Sequence, residues 1–241
     1  MTIEVVLILL ERKRGKTMKN GRNTGEKINL LTKTTELAMN ITLDYVNQGD
    51  KVIDATAGNG HDTLVFARVV GDKGKVYAFD VQPQALENTG QLLLGNDFSI
   101  MHVGTAAESD LDADGKHTSV FESDATVHLI EDSHEHMSKY CPEGEIAAIM
   151  FNLGYLPLSD KSISTSTVST LIALQEALHL IKVGGVVTVV MYCGHEAGKV
   201  EKAAILDMTE KLSSKEFHVV YASMHNQGEN APEILWITKK R

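Results

Sequence analysis

The amino-acid sequence predicts an α/β fold, a mostly parallel seven-stranded sheet with helices between the strands and an antiparallel hairpin at the C-terminus. Three observations lead to it. From Lys51 onwards, short apolar runs alternate with segments of helical period, the pattern of βαβ units. The first apolar run, Val52-Ile53-Asp54-Ala55, opens into the glycine turn Thr56-Ala57-Gly58-Asn59-Gly60 and then an amphipathic segment, which reads as strand, turn and helix. The last two runs, Phe217 to Ser223 and Ile234 to Thr238, have only a polar loop between them. That is too short for a crossover helix, so they form a hairpin.

The elements follow in order. Leu30, Leu31, Leu37, Ala38, Ile41 and Tyr45 recur at helical spacing, and Gln48-Gly49-Asp50 stops that helix. Strand 51–55 leads to helix 61–70. Strand 75–80 leads to a helix from Pro83 to Leu94, with Pro83 suited to the first turn. Ser99 to Val103 is the third strand. Residues 104–124 are rich in Asp, Gly, Ser and Thr and read as a loop insertion, and Val127 to Tyr140 reads as a helix. Ile146 to Phe151 is the fourth strand and Val168 to Ile181 a helix that Gly184-Gly185 stops. Val186 to Met191 is the fifth strand and His195 to Leu212 the last helix. Residues 1–28 are basic and aperiodic and read as a flexible N-terminal extension to a single domain over 29–241.

Composition narrows the classes. The chain has 241 residues, is 43% apolar, and contains no run near the ~18 apolar residues of a membrane span. Cys141 and Cys193 make neither a disulfide framework nor a zinc site, so a reducing cytoplasm is the expected compartment. Net charge is −9. Residues 1–33 carry eight basic residues and three acids, and residues 105–145 carry eleven acids against Lys116 and Lys139. An acidic chain has few cations for phosphate, so any nucleic-acid contact must be local. His117, His128, His134 and His136 lie in the acidic segment, but their spacing fits no standard metal site. They read as part of a solvated acidic face, and no metal is expected.

The glycine turn points to a nucleotide-like ligand. Gly58 and Gly60 let a ligand approach the backbone, and the helix that follows offers its unpaired N–H groups. Asp80, twenty residues past Gly60 at the end of Val76-Tyr77-Ala78-Phe79, stands where an acid accepts ribose hydroxyls. A dinucleotide fingerprint needs a third glycine, and Thr63 occupies that place. The pattern D-x-T-x-G-x-G suits S-adenosylmethionine, which has no pyrophosphate, better than a nicotinamide or flavin cofactor. Candidate cofactor-binding residues are Asp54, Thr56, Gly58, Asn59, Gly60, His61, Asp62, Asp80, Val81, Gln82 and Asn152. His61 and Asp62 serve equally well as helix-capping residues.

The fourth strand ends in Phe151-Asn152-Leu153-Gly154-Tyr155-Leu156-Pro157. In open α/β sheets ligands sit beyond the carboxyl ends of the strands at the switch in strand order. Asn152 therefore faces the cofactor. An amide oxygen can accept an N–H and hold an amine lone pair in line for displacement at carbon, and Tyr155 can stack on a base. Asn152, Tyr155 and His195 are the candidate catalytic residues. Tyr155, Tyr192, His195, Asn226 and Gln227 are the candidate substrate-binding residues. His195 opens a helix and reads either as a neutral base or as a cap.

A parallel sheet closed by a hairpin is the Rossmann-like arrangement of class I methyltransferases, and the motifs resemble one family among them. Asp54 to Thr63, Val76 to Asp80, Phe151 to Pro157 with Asp160-Lys161, Tyr192-x-Gly194-His195-x-x-Gly198-x-x-Glu201, and Asn226-Gln227-x-x-Asn230 resemble the family labelled putative rRNA methylase. That family includes bacterial tRNA 5-aminomethyl-2-thiouridine methyltransferases. The resemblance implies S-adenosylmethionine as donor and the aminomethyl nitrogen of a tRNA wobble uridine, in the anticodon loop, as acceptor. It also implies that Asp80 holds the ribose, Gly58 and Gly60 the methionine end, and Asn152 and Tyr155 the reacting edge. The segment before Asn29 and the insertion at 104–124 depart from the family pattern. The insertion occupies the neighbourhood of the adenine-binding acid, where Glu108 and Asp110 now stand. Leu158-Ser159 replaces glycines after Pro157. An rRNA or small-molecule N-methyltransferase and a non-catalytic nucleotide-binding module are the competing readings. The oligomeric state, a homodimer included, stays open.

Overall fold

The computed structural model describes residues 33–105, 110–154 and 167–241. The basic extension over 1–28, Glu108, Tyr155, and the Pro157-Leu158-Ser159 and Asp160-Lys161 positions lie outside the described residues. The elements in order are α1 (Thr34–Leu43), β1 (Lys51–Asp54), α2 (His61–Val70), β2 (Lys75–Phe79), α3 (Pro83–Leu94), β3 (Ile100–Val103) and the short α4 (Thr118–Glu122). Next come β4 (Val127–Ile130), a 3₁₀ segment (His134–Lys139), β5 (Ile146–Leu153), α5 (Thr167–Leu180), β6 (Ile181–Met191), α6 (Glu196–Glu210), β7 (Phe217–Ala222) and β8 (Glu233–Lys239).

The strands form one sheet in the order β3-β4-β2-β1-β5-β6-β8-β7. All pairs are parallel except β6 with β8 and β7 with β8. This is the Rossmann-like methyltransferase arrangement with its C-terminal antiparallel strands, but it has eight strands rather than seven. The additional strand is β4, in the stretch that helical period had claimed. Val127, His128, Leu129 and Ile130 are all buried, because β4 lies between β2 and β3 with both faces covered. A strand buried on both faces loses the alternation that reveals strands. Its buried run leads within four residues into the 3₁₀ segment, so the two together mimic one longer helical stretch.

Two apolar layers sandwich the sheet. Val52, Val76, Ala78, Ala148 and Met150 face Leu37 and Ala38 of α1, Phe66, Ala67 and Val70 of α2, and Leu86 and Leu93 of α3. Ile53, Tyr77, Phe79, Phe151 and Val187 face Leu174 and Ala177 of α5, Ile205 of α6, and Met137 and Tyr140. Val52 and Ile53 thus serve opposite layers, as the two-residue period of a strand requires.

Two further boundaries differ from expectation. β6 starts at Ile181, directly after α5, and Gly184-Gly185 lies inside it. There the register against β5 slips, with Ile146 opposite Ile181 but Ala148 opposite Val186. The glycine pair marks this bulge rather than the helix end, and Gly184 takes φ +79°. Three of the four histidines are not on a solvated face, and only His136 stays half-exposed. His117, His128 and His134 are buried, and His128 stacks on Tyr77 with its ring 5.4 Å away.

Candidate active site

The switch in strand order falls at β1, whose neighbours are β2 and β5. The carboxyl ends of β1, β2, β4, β5 and β6 open into a cleft of about 1010 Å³. Of the residues singled out from sequence, Thr56, Gly58, Asn59, His61, Asp62, Asp80, Val81, Gln82, Asn152, Tyr192 and His195 line it. Asp54 and Gly60 are buried behind the turn. Asn226 and Gln227 lie in the exposed β7–β8 connection and do not line the cleft, whereas Asn230 of the same connection does.

The turn is built by its own hydrogen bonds. Asp54 accepts from Thr63 Oγ1 at 2.6 Å and from Thr56 N at 3.2 Å. Burial, with the nearby Asp62 and Asp80 charges, pushes its carboxyl up to about 7, against the pull of those two bonds. Gly58 and Gly60 adopt left-handed φ of +54° and +79°. A Cβ on Gly60 would stand 2.9 Å from Thr89, so only glycine lets α2 start this close to α3. Asp80 accepts from Gly58 N at 3.0 Å and Gln82 N at 2.9 Å. Burial raises its pKa against those N–H bonds. Both oxygens keep further acceptor capacity.

The Asn152 amide stands at the end of β5. Its backbone N–H donates to Thr56 Oγ1 at 2.8 Å. Its Nδ2 donates to Asp62 Oδ2 at 2.7 Å, and Tyr192 Oη reaches its Oδ1 at 3.4 Å. Burial raises the Asp62 pKa, opposed by the Asn152 hydrogen bond and the His61 charge. Burial and the Asp62 charge raise the Tyr192 phenol.

His195 is the N-cap of α6, and its Nδ1 accepts from Gly198 N at 3.0 Å. That bond uses the lone pair a neutral base would need, so in the neutral ring the proton sits on Nε2. Of the two readings of His195, the geometry favours the cap. Gly198 lets the helix start close, since a Cβ there would meet Tyr192 O at 2.2 Å.

The sequence missed one wall of the cleft, Asp132-Ser133-His134-Glu135, which follows β4. Burial pushes the Asp132 carboxyl up, but hydrogen bonds from His136, Tyr140 Oη and Ser133 N outweigh it and hold the carboxyl low. His134 Nδ1 donates to Ala55 O at 3.1 Å, and burial lowers its pKa. Asp110 is not part of the lining. The acidic pair Glu131-Asp132 after Val127–Ile130 was the available signal, but it carries that meaning only when Val127–Ile130 is a strand.

A sequence model of the family described as "Putative rRNA methylase" matches residues 76–238. The chain belongs to this family. It is 36% identical over 188 residues to the Arabidopsis thaliana tRNA (mnm(5)s(2)U34)-methyltransferase, chloroplastic, across 76% of this chain. It spans 59% of that relative's length. A putative rRNA-methylase from Clostridium thermocellum has a similar structure, with TM-score 0.72 and 34% identity over 87% of this chain and 98% of that one. A putative methyltransferase from Streptococcus mutans in complex with SAH gives TM-score 0.67 and 31% identity, over 85% of this chain and 97% of that one. The protein is thus an S-adenosylmethionine-dependent methyltransferase. The turn fits that cofactor on two counts. Its left-handed glycines bring backbone to the cleft wall. The lining also carries Asp62, Asp80, Asp132 and Glu135 and, among the described residues, no lysine or arginine. Such a wall suits a sulfonium cation and offers no cation to a pyrophosphate. Among the described residues, no helix is long and apolar enough to cross a membrane.

Proposed function

We propose that this methyltransferase methylates the aminomethyl nitrogen of 5-aminomethyl-2-thiouridine at the wobble position of tRNA, giving the 5-methylaminomethyl nucleoside. The observation that carries the reading is the Asn152 amide, held at the cleft by Asp62 through its amino group. The carbonyl oxygen, which the Tyr192 hydroxyl meets at 3.4 Å, keeps a second lone pair to accept an amine N–H. The name of the Arabidopsis relative gives the reading its nucleoside.

The roles follow from position. Asp80 takes the ribose hydroxyls. The backbone of Gly58 to Gly60 takes the methionine end, with Asp54 fixing the turn from behind. Asp132-Ser133 and Val81-Gln82 flank the adenine. When bound, S-adenosylmethionine supplies a methyl group on a cationic sulfur. The side chains bind and orient the acceptor. An alkyl amine is mostly ammonium near neutral pH, and the acidic wall attracts it in that form. It must shed a proton to expose its lone pair. His195 is committed to its helix, so the proton leaves through water at the open cleft. Asn152 Oδ1 then accepts a remaining N–H and aims the lone pair. A wobble base lies in a single-stranded loop and can be splayed into such a cleft without opening a duplex. Tyr192, which lines the cleft, meets its ring, and Asn230 takes the place of Asn226 and Gln227 on the cleft wall.

The test is methylation of tRNA from cells lacking the protein, read by nucleoside mass spectrometry. Loss of 5-aminomethyl-2-thiouridine with gain of its N-methyl product is expected. If that nucleoside stays unchanged while ribosomal RNA or a small amine gains the methyl group, the assignment fails.

A further inference from the structure

Asn152 is useful to an amine only in one of its two amide orientations, and the residue that selects it sits on a different element. Asp62 is in the first turn of α2, and its carboxylate receives Asn152 Nδ2 at 2.7 Å. An ionised carboxylate only accepts hydrogen bonds, so it must face the amino group and not the carbonyl. The opposite side of the amide meets the Tyr192 hydroxyl at 3.4 Å, which can donate to Oδ1. The backbone is pinned separately, by Thr56 Oγ1. With the backbone held, the carboxylate and the phenol leave the side chain one orientation.

From this geometry we infer that Asp62 is a positioning residue for methyl transfer. It locks the Asn152 amide with Oδ1 toward the acceptor and thereby selects an acceptor that carries an N–H. A flipped amide would present its own N–H groups to the acceptor and repel the ammonium and amine hydrogens. The inference rests on the reading of Asn152 as the group that meets the acceptor. It changes the role of Asp62 from cofactor contact to support of the reacting edge. The titratable groups facing Asp62 among the described residues are His61 beside it, Asp54 at the end of β1 and Tyr192 after β6.

The experiment has two arms. In the full-length protein, the side-chain amide signals of Asn152 are followed by ¹H–¹⁵N NMR from pH 4 to 9 and identified by their loss in Asn152→Ala. They should shift with a midpoint above the ordinary carboxylate range, and Asp62→Asn should abolish the shift. An amide that does not respond to pH, or responds equally in Asp62→Asn, overturns the inference. In the second arm, Asp62→Asn should lower kcat on tRNA about 10- to 100-fold, with SAH affinity by calorimetry within about twofold of wild type. Asp62→Glu, which keeps the carboxylate, should recover part of the rate. Unchanged kcat, or a loss of SAH binding that matches the loss of rate, also overturns it. If the wild-type protein itself fails to methylate tRNA, the acceptor assignment falls, and the NMR arm alone decides the role of Asp62.

Discussion

Asn152 and Asp54 show how differently two polar side chains of one site depend on their surroundings. Asn152 is half-buried, bonded on one side to Asp62, and faces the cleft. Asn152→Ala should therefore keep SAH binding, seen as an unchanged ligand-induced rise in Tm, while turnover falls about 100-fold. Equal loss of both would make Asn152 structural. Asp54 is fully buried, with its carboxyl near 7. Its folded pKa is raised above the unfolded value, so the native state holds its proton more tightly. From this group alone, stability is greatest at low pH and declines as pH rises from about 4 through about 7. Asp54→Asn removes the titration and keeps the side-chain shape. The Tm difference, mutant minus wild type, should be most positive near pH 8 and shrink as the pH falls toward 5. A pH-independent difference would mean that Asp54 does not carry this linkage. Both residues were legible in the sequence by their place at strand ends. Their hydrogen bonds were not, because Asp62 and Asn152 are ninety positions apart.

At the scale of elements, the turn between β1 and α2 and the cap of α6 make the clearest predictions. Gly60→Ala places a Cβ against Thr89 at a left-handed φ of +79°. It should cost about 2 kcal/mol, roughly 4–8 °C in Tm for a chain of this size. His195→Ala removes the side chain that caps α6 and should cost about 1 kcal/mol. If His195 only caps, the pH–rate profile of the variant keeps its shape. A limb that vanishes in the variant would restore His195 as the base. β1, β2, β5 and the terminal hairpin were readable from sequence because their apolar runs end at glycines, acids or polar loops. β4 was not, because its burial between two strands removed the alternation, and its loss hid the Asp132 wall with it.

For the molecule as a whole, charge is the governing feature. The chain carries net −9, and the described cleft wall adds no lysine or arginine to hold phosphate. If the acceptor is tRNA, few phosphates can be neutralised on binding. The logarithmic slope of affinity against salt should then be shallow, on the order of −2 from about three contacts at ~0.7 per single-strand phosphate. A slope several times steeper in filter or fluorescence binding would locate a basic RNA surface elsewhere in the chain. The acidic balance visible in the composition and the acidic wall of the cleft are separate facts. The first was in the sequence, and the second needed three strand ends, those of β1, β2 and β4, brought side by side.

The glycine turn, Asp80 and the Asn152 strand end were determined by sequence alone, since each is a local pattern of residue type and spacing. That was enough for the fold class, the cofactor and the family. Only the tertiary structure decided the strand count, the Asp132-Ser133-His134-Glu135 wall, the exclusion of Asn226 and Gln227 from the cleft, and the use of the His195 lone pair as a cap. It also paired Asp62 with Asn152. These are contacts between distant segments, and hydrophobic periodicity records which way a residue faces but not which partner it meets.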